Sequence, residues 1–152
     1  MNQYCKYIAI VIVLLMITSF ARLYPQEGTI TVDVNGLKNN EGNLCVALFI
    51  NDIGFPTNHQ KAVVKKIIPI KNKKMTFILR NIKYGVYALS VLHDDNRNNK
   101  MDFHILGLPK EGYGVSNNIR SPIGPPKFDE CTFKLNSDEI HLKIDIHYFG
   151  KK

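Results

Sequence analysis

The sequence predicts an all-β protein, a seven-stranded antiparallel β-sandwich with one long ordered loop. Three observations carry that expectation. Short segments alternate apolar and polar residues with a period of two, polar turn clusters separate them, and no helical pattern of ten residues or more follows the N-terminal apolar run. Uneven strand lengths and one very long connection favour a sandwich over a small closed barrel.

Taken in order, "TITVDVNG" places Ile30, Val32 and Val34 on one face and Thr31, Asp33 and Asn35 on the other. "NNEGN" reads as a hairpin turn, so "LCVALFIN" is expected to pair antiparallel with the first strand. "DIGFPTNHQ" is a loop broken by Gly54 and Pro56, and "KAVVKKIIPI" ends as strand because of its Val and Ile content. "MTFILRN" and "VYALSVLHD" follow, the second with Tyr87, Leu89 and Val91 on one face. "CTFKL" and "EIHLKIDIHYFG" complete the set. In the last of these Ile140, Leu142, Ile144, Ile146 and Tyr148 alternate with His141, Lys143, Asp145 and His147, whose histidines should be solvated.

The 152 residues suffice for one domain with its own core. Residues 1–21 do not belong to it. A polar start with Lys6, an apolar run from Tyr7 to Phe20, and small residues at Ser19 and Ala21 have the layout of a secretory signal peptide cut near Ala21. The run is shorter than the ~20 residues of a spanning helix, and no second one follows. The expected organisation is therefore signal peptide 1–21, linker 22–28 and β-sandwich 29–149. The mature domain would be exported to a periplasmic, cell-surface or secreted location, with no membrane span after cleavage.

The full chain carries a formal charge of +7, and Lys6 is the one charged residue that leaves with the leader. Much of the excess lies in Lys61, Lys65, Lys66, Lys71, Lys73 and Lys74. Lysines on strand edges discourage edge-to-edge pairing. Without arginine or interleaved aromatics the cluster is not a nucleic-acid surface, but it suits an anionic envelope polymer. Cys45 and Cys131 remain after the leader is cut. In an oxidising compartment they are either one disulfide or two separate buried thiols.

The connection from Asp94 to about Asp129 holds the chemistry. Oxygen-bearing side chains recur at Asp94, Asn96 and Asn98, with Asp102 four residues on, which is the front half of a calcium loop. Lys100, at the seventh position, would contribute its backbone carbonyl. The sixth position holds Asn99 in place of glycine and the twelfth holds Ile105 in place of a bidentate glutamate, so Glu111 or Asp95 would have to complete the shell. The alternative is a set of Asx-turns reversing the chain. An enzymatic reading can be drawn from His93, Asp95, Asp102 and His104, without recognised catalytic spacing. "EGYGVSNN" reads as a bend at Gly112 and Gly114 that offers Glu111, Tyr113, Asn117 and Asn118 as a ligand surface. Ser116 within it is no nucleophile elbow.

"GNLCVALFINDIGFP", "NIKYGVYALSVLHDDNRNNKMD", "GLPKEGYGVSNN" and "GPPKFDECTFKL" together resemble the DUF2141 family of small exported bacterial proteins. The resemblance spans roughly Thr29 to Tyr148 and implies a transthyretin-like or carboxypeptidase-regulatory-like sandwich without an established activity. The family's acidic loop usually carries two glycines where this chain has Arg97 and Asn99. The expected function is that of an exported, non-enzymatic module whose calcium-stabilised loop meets a ligand or envelope component. The oligomeric state is left open.

Overall fold

The structure is a computed structural model describing residues 26–150 apart from 106, 122 and 123, together with positions 3, 4, 7 and 12. The leader, except for those four positions, and residues 22–25 of the linker lie outside the described residues. Among the described residues no helix is long and apolar enough to cross a membrane.

The chain is all-β, with two sheets facing each other. Its strands are β1 (Glu27–Asn35), β2 (Asn43–Phe49), β3 (Val64–Pro69), β4 (Met75–Lys83), β5 (Gly85–Asp94), β6 (Gly112–Val115), β7 (Thr132–Leu135) and β8 (Glu139–Asp145). One sheet runs β4-β1-β8. The other runs β3-β2-β5-β6, with β7 beside β6 on the same edge of β5. β6 pairs with the Ser90–His93 end of β5, and β7 with the Gly85–Ala88 end.

Three expectations are corrected. Among the described residues there are eight strands, not seven, because "GYGV" is the strand β6 and not a bend. Its glycines face the other sheet. A Cβ on Gly112 would lie 2.3 Å from the Tyr148 ring, and one on Gly114 would lie 2.5 Å from Ile144 Cγ2, so close packing demands glycine there. The sandwich is not wholly antiparallel, since β1 pairs parallel with β8 from Thr29↔Glu139 to Asn35↔Asp145. A parallel pair needs a long crossover, which the whole intervening domain supplies.

The third correction concerns β1 and β2, which do not form a hairpin. Residues 36–42 cross between the sheets, turning at Gly36 and Gly42 with φ of 79° and 76°. Ile30, Val32 and Val34 then face Leu44, Val46 and Leu48 inside one cluster. Two apolar stripes that face each other bury more area than two lying side by side on a ribbon. β5 runs down the middle of its sheet, and every residue from Tyr87 to Asp94 is buried.

A second, smaller cluster lies on the outer face of the five-stranded sheet, where Ala88, Val115 and Cys131 pack beneath Phe55, Ile119 and Phe128. Phe49, Phe55 and Phe128 stack edge to face along it. Both clusters draw only on residues 30–148. The first strand begins at Glu27, two residues inside the segment read as linker.

Candidate functional site

β5 delivers two ionisable residues to the interior at its C-terminal end. By alternation His93 shares the inner face with Leu89 and Val91, and Asp94 shares the outer face with Leu92 and Ser90. Both side chains are fully buried. His93 Nε2 lies 2.9 Å from the Glu41 carbonyl oxygen and 2.8 Å from Asp95 Oδ1, and Nδ1 meets the Tyr148 hydroxyl. A proton on Nε2 makes Nδ1 an acceptor, so Tyr148 donates to His93 while accepting the Lys38 N–H at 3.1 Å. This chain ties the 36–42 crossing and the C-terminal tail to β5. Burial pushes the Tyr148 hydroxyl up to about 12. Lys38 pairs with Asp95 Oδ2 and sits 5.5 Å from the centre of the Tyr148 ring.

Asp94 organises the loop that follows. Its Oδ1 accepts the Asn98 N–H at 3.1 Å, its Oδ2 accepts the Asn99 N–H at 2.8 Å, and the Cys45 thiol reaches Oδ2 at 3.7 Å. Asn96 Oδ1 accepts the Asn98 N–H, and Asn98 Oδ1 accepts the Lys100 N–H, so both asparagines form Asx-turns. Their amide groups donate to Asp102 Oδ2 at 2.6 and 3.0 Å. Arg97 and Asn99 have φ of 63° and 60°, the left-handed region that glycine enters most easily. Positions 97 and 99 are therefore places where the backbone favours glycine over the residues present.

Glu111, in the residue before β6, closes the loop. It is 4% exposed; its Oε2 accepts the Asp102 N–H at 3.1 Å, while Oε1 is buried without a hydrogen-bond partner. Burial raises its pKa above the ordinary carboxylate value. The Asp102 N–H opposes that shift, and the charges of Asp94 and Asp102 add to it. The Asp95 N–H favours the ionised form from nearby without a hydrogen bond to Oε1. Among the described residues no three His, Cys, Asp or Glu side chains group closely enough to hold a metal by themselves. A calcium ion would need the oxygens of Asp94, Asn96, Asn98 and Asp102 to leave the hydrogen bonds they now accept and to converge with Glu111 and the Lys100 carbonyl.

The remaining expected residues disperse. His93 and Asp95 touch, but His93 is sealed on the inner face, Asp102 turns to the asparagines, and His104 is exposed on the next turn. The four do not surround one cavity, as the enzymatic reading required. The expected ligand surface also divides. Asn117 donates to the Glu130 and Thr132 carbonyls, and Asn118 donates to Lys143 O and accepts the Asp145 N–H. Both stitch backbone together, with positive φ, and Glu111 belongs to the acidic loop. Of that set only Tyr113 lines an open cavity. Ser116 is buried, and its hydroxyl binds the backbone of Leu89 and Cys131.

The bridge between Cys45 and Cys131 is not formed, and both thiols are free and buried. Cys45 stands opposite Leu92, whereas Cys131 packs in a turn against Ala88, four residues away along β5. At about 3.4 Å per strand residue the two cysteines are too far apart for a disulfide. His141 is exposed as expected, but His147 is half-buried and takes the Arg120 Nε–H at 3.2 Å. Its pKa is lowered by burial and by Arg120.

Two connected spaces open on the outer face of the five-stranded sheet. One is a cavity of about 440 Å³ over Leu92 and Tyr113, roofed by Phe55, Met101, Phe103 and Leu108. The other is a groove of about 530 Å³ running to the β2–β3 edge past Lys65 and Lys100. The sequence signal for this face was the set of small residues Ala47, Ala88 and Ser90 alternating with the inward apolar ones.

No curated protein and no solved structure matches the chain. Residues 32–143 match the family described as uncharacterized proteins conserved in bacteria, DUF2141. That stretch runs from within β1 into β8 and includes the whole acidic loop. The chain therefore belongs to the DUF2141 family.

Proposed function

We propose that this protein is an exported, non-enzymatic sandwich module, transthyretin-like in type, whose acidic loop takes a calcium ion and so orders residues 94–118 as an interaction surface. One observation carries the reading. Glu111 Oε1 is buried and unpartnered next to a loop that already bears Asp94 and Asp102. An unsatisfied carboxylate oxygen buried within reach of the charges of Asp94 and Asp102 is costly without a counter-ion, and a hard cation that drew the three together would satisfy the oxygen and offset the repulsion. The apolar leader supports export.

Calcium titration of the purified protein by calorimetry and thermal melting tests the proposal. Stabilisation should reach about 2.7 kcal/mol when calcium is 100-fold above its Kd. Residues 94–118 should become protected from proteolysis, and chelator should reverse both effects. Asp94→Ala with Asp102→Ala should abolish the response. Asp102→Asn, the milder change, should weaken it even if the double variant fails to fold. Millimolar calcium that alters neither melting nor proteolysis would sink the proposal.

A second reading rests on the lysines. Lys65, Lys66, Lys71, Lys73 and Lys74 are all exposed along β3 and the turn into β4, a surface suited to anionic envelope polymers. Salt-sensitive binding to such a polymer, lost on neutralising Lys65, Lys66, Lys73 and Lys74, is the expected result. Salt-independent binding would refute it.

A further inference from the structure

The cavity on the outer sheet face is of the size that holds small ligands, roughly 300–1,000 Å³. Its walls are Phe55, Leu92, Met101, Phe103, Leu108 and Tyr113. Phe103 is half exposed at its rim, so apolar surface that an ordinary core would cover here faces solvent. The floor is rigid, because Leu92 belongs to the buried strand β5, and Ser90 beside it donates to the Pro56 carbonyl oxygen at 2.9 Å.

The cavity does not end in a neutral wall. Thr57, His59, Met101 and Phe103 line both it and the adjoining groove, so the two are continuous. The groove presents Lys65 and Lys100 and has no carboxylate among its lining residues. Lys65 lies on the outer face by its pairing with Ala47, whereas Lys66, which also borders the groove, commits its ammonium to the Ile78 carbonyl oxygen at 3.2 Å. An apolar pocket opening onto two cations complements one kind of small molecule.

We propose that this face binds an amphipathic carboxylate of the fatty-acid type, its acyl tail in the cavity over Leu92 and Tyr113 and its head group at Lys65 and Lys100. The tail removes apolar surface from water at both partners, and the lysines fix the orientation. The site is built by β2, β3 and β5 together with Lys100, Met101, Phe103 and Leu108 of the segment 94–118, so loss of a cation from the acidic loop should weaken binding without abolishing it.

Dodecanoate below its micelle concentration is the probe, titrated into the chain cut to residues 22–152 so that the apolar leader cannot compete. Both hydrophobic clusters lie within that piece. In EDTA, which keeps calcium from precipitating the carboxylate, dodecanoate should bind one-to-one, with amide chemical-shift changes around Leu92, Met101 and Tyr113. Lys65→Glu with Lys100→Glu should weaken it about tenfold or more at low salt, the equivalent of about 1.4 kcal/mol, while leaving the neutral analogue dodecanol unaffected. Leu108→Trp should exclude both. Absence of saturable binding, or shifts confined to another surface, would overturn the proposal. An equal loss of dodecanol and dodecanoate in the lysine variant would overturn the head-group assignment. If dodecanoate fails while calcium still raises the melting temperature, this inference falls and the calcium proposal stands.

Discussion

Replacing Glu111 with Gln is the most direct probe of the acidic loop. Gln keeps an oxygen to accept the Asp102 N–H but removes a negative charge that is buried beside Asp94 and Asp102. Either side chain leaves one buried polar atom unpaired, so the difference lies in the charge: without it, in chelator at pH 7, the variant should be the more stable protein by about 1–2 kcal/mol, the order of like-charge repulsion in a partly desolvated site. For a domain of this size that is a rise in melting temperature of roughly 3–8 °C. The sign with pH follows from the raised pKa of Glu111. The folded state holds this proton more tightly than the unfolded chain, so the associated stability is present at low pH and is lost as pH rises through the raised value. Gln does not titrate, and the advantage of the variant should shrink toward zero below pH ~4. Calcium should reverse the ranking, because the wild type gains a charged ligand that the variant lacks. Thermal melts from pH 4 to 8, in EDTA and in calcium, give the readout. A Gln variant that is less stable in EDTA at pH 7, or a difference that does not change with pH, would refute the reasoning.

Two further outcomes follow from packing. Gly114→Ala should cost about 2–3 kcal/mol in urea unfolding, since its Cβ would press on Ile144 Cγ2 at 2.5 Å and on the Asp145 carbonyl oxygen at 2.9 Å. Gly107→Ala meets no atom within 4 Å but has φ of 75°, so it should cost only about 1 kcal/mol; equal losses at the two sites would show that contact is not the cause. Burial pushes the Cys45 thiol up to about 12, helped by Asp94, and the Cys131 thiol up to about 11. Neither should react with iodoacetamide at pH 8 while folded, and both should alkylate in denaturant without reductant. A disulfide-linked product would contradict the observed separation.

Much of the fold could be read from local pattern, because a strand with one buried face must alternate. The last strand and the residue after it illustrate this: Ile144 and Ile146 are buried where the period of two puts them. His93 could have been placed inward by its parity with Leu89 and Val91. The acidic loop was also legible as a turn, since Asp and Asn side chains find their hydrogen-bond partners within a few residues.

What lay beyond the sequence depends on contacts between distant segments. Alternation marks which residues face inward but not which strand lies opposite, and so β1 was assigned to β2 when its neighbours are β4 and β8. "GYGV" lacks the apolar alternation of a strand because two of its positions must be glycine, a demand made by Ile144, Ile146 and Tyr148 some thirty residues later. The same holds for chemistry. Asp94, Asn96, Asn98 and Asp102 announce themselves by spacing, whereas the unpartnered oxygen of Glu111 and the cavity opening onto Lys65 and Lys100 exist only once the sheet has brought their elements together. The sequence by itself determined every strand of the described residues except β6, the faces most of them bury and the polar turn. The tertiary structure decided pairing, the fate of the cysteines and the shape of the sites, because burial and electrostatic coupling act through space and not along the chain.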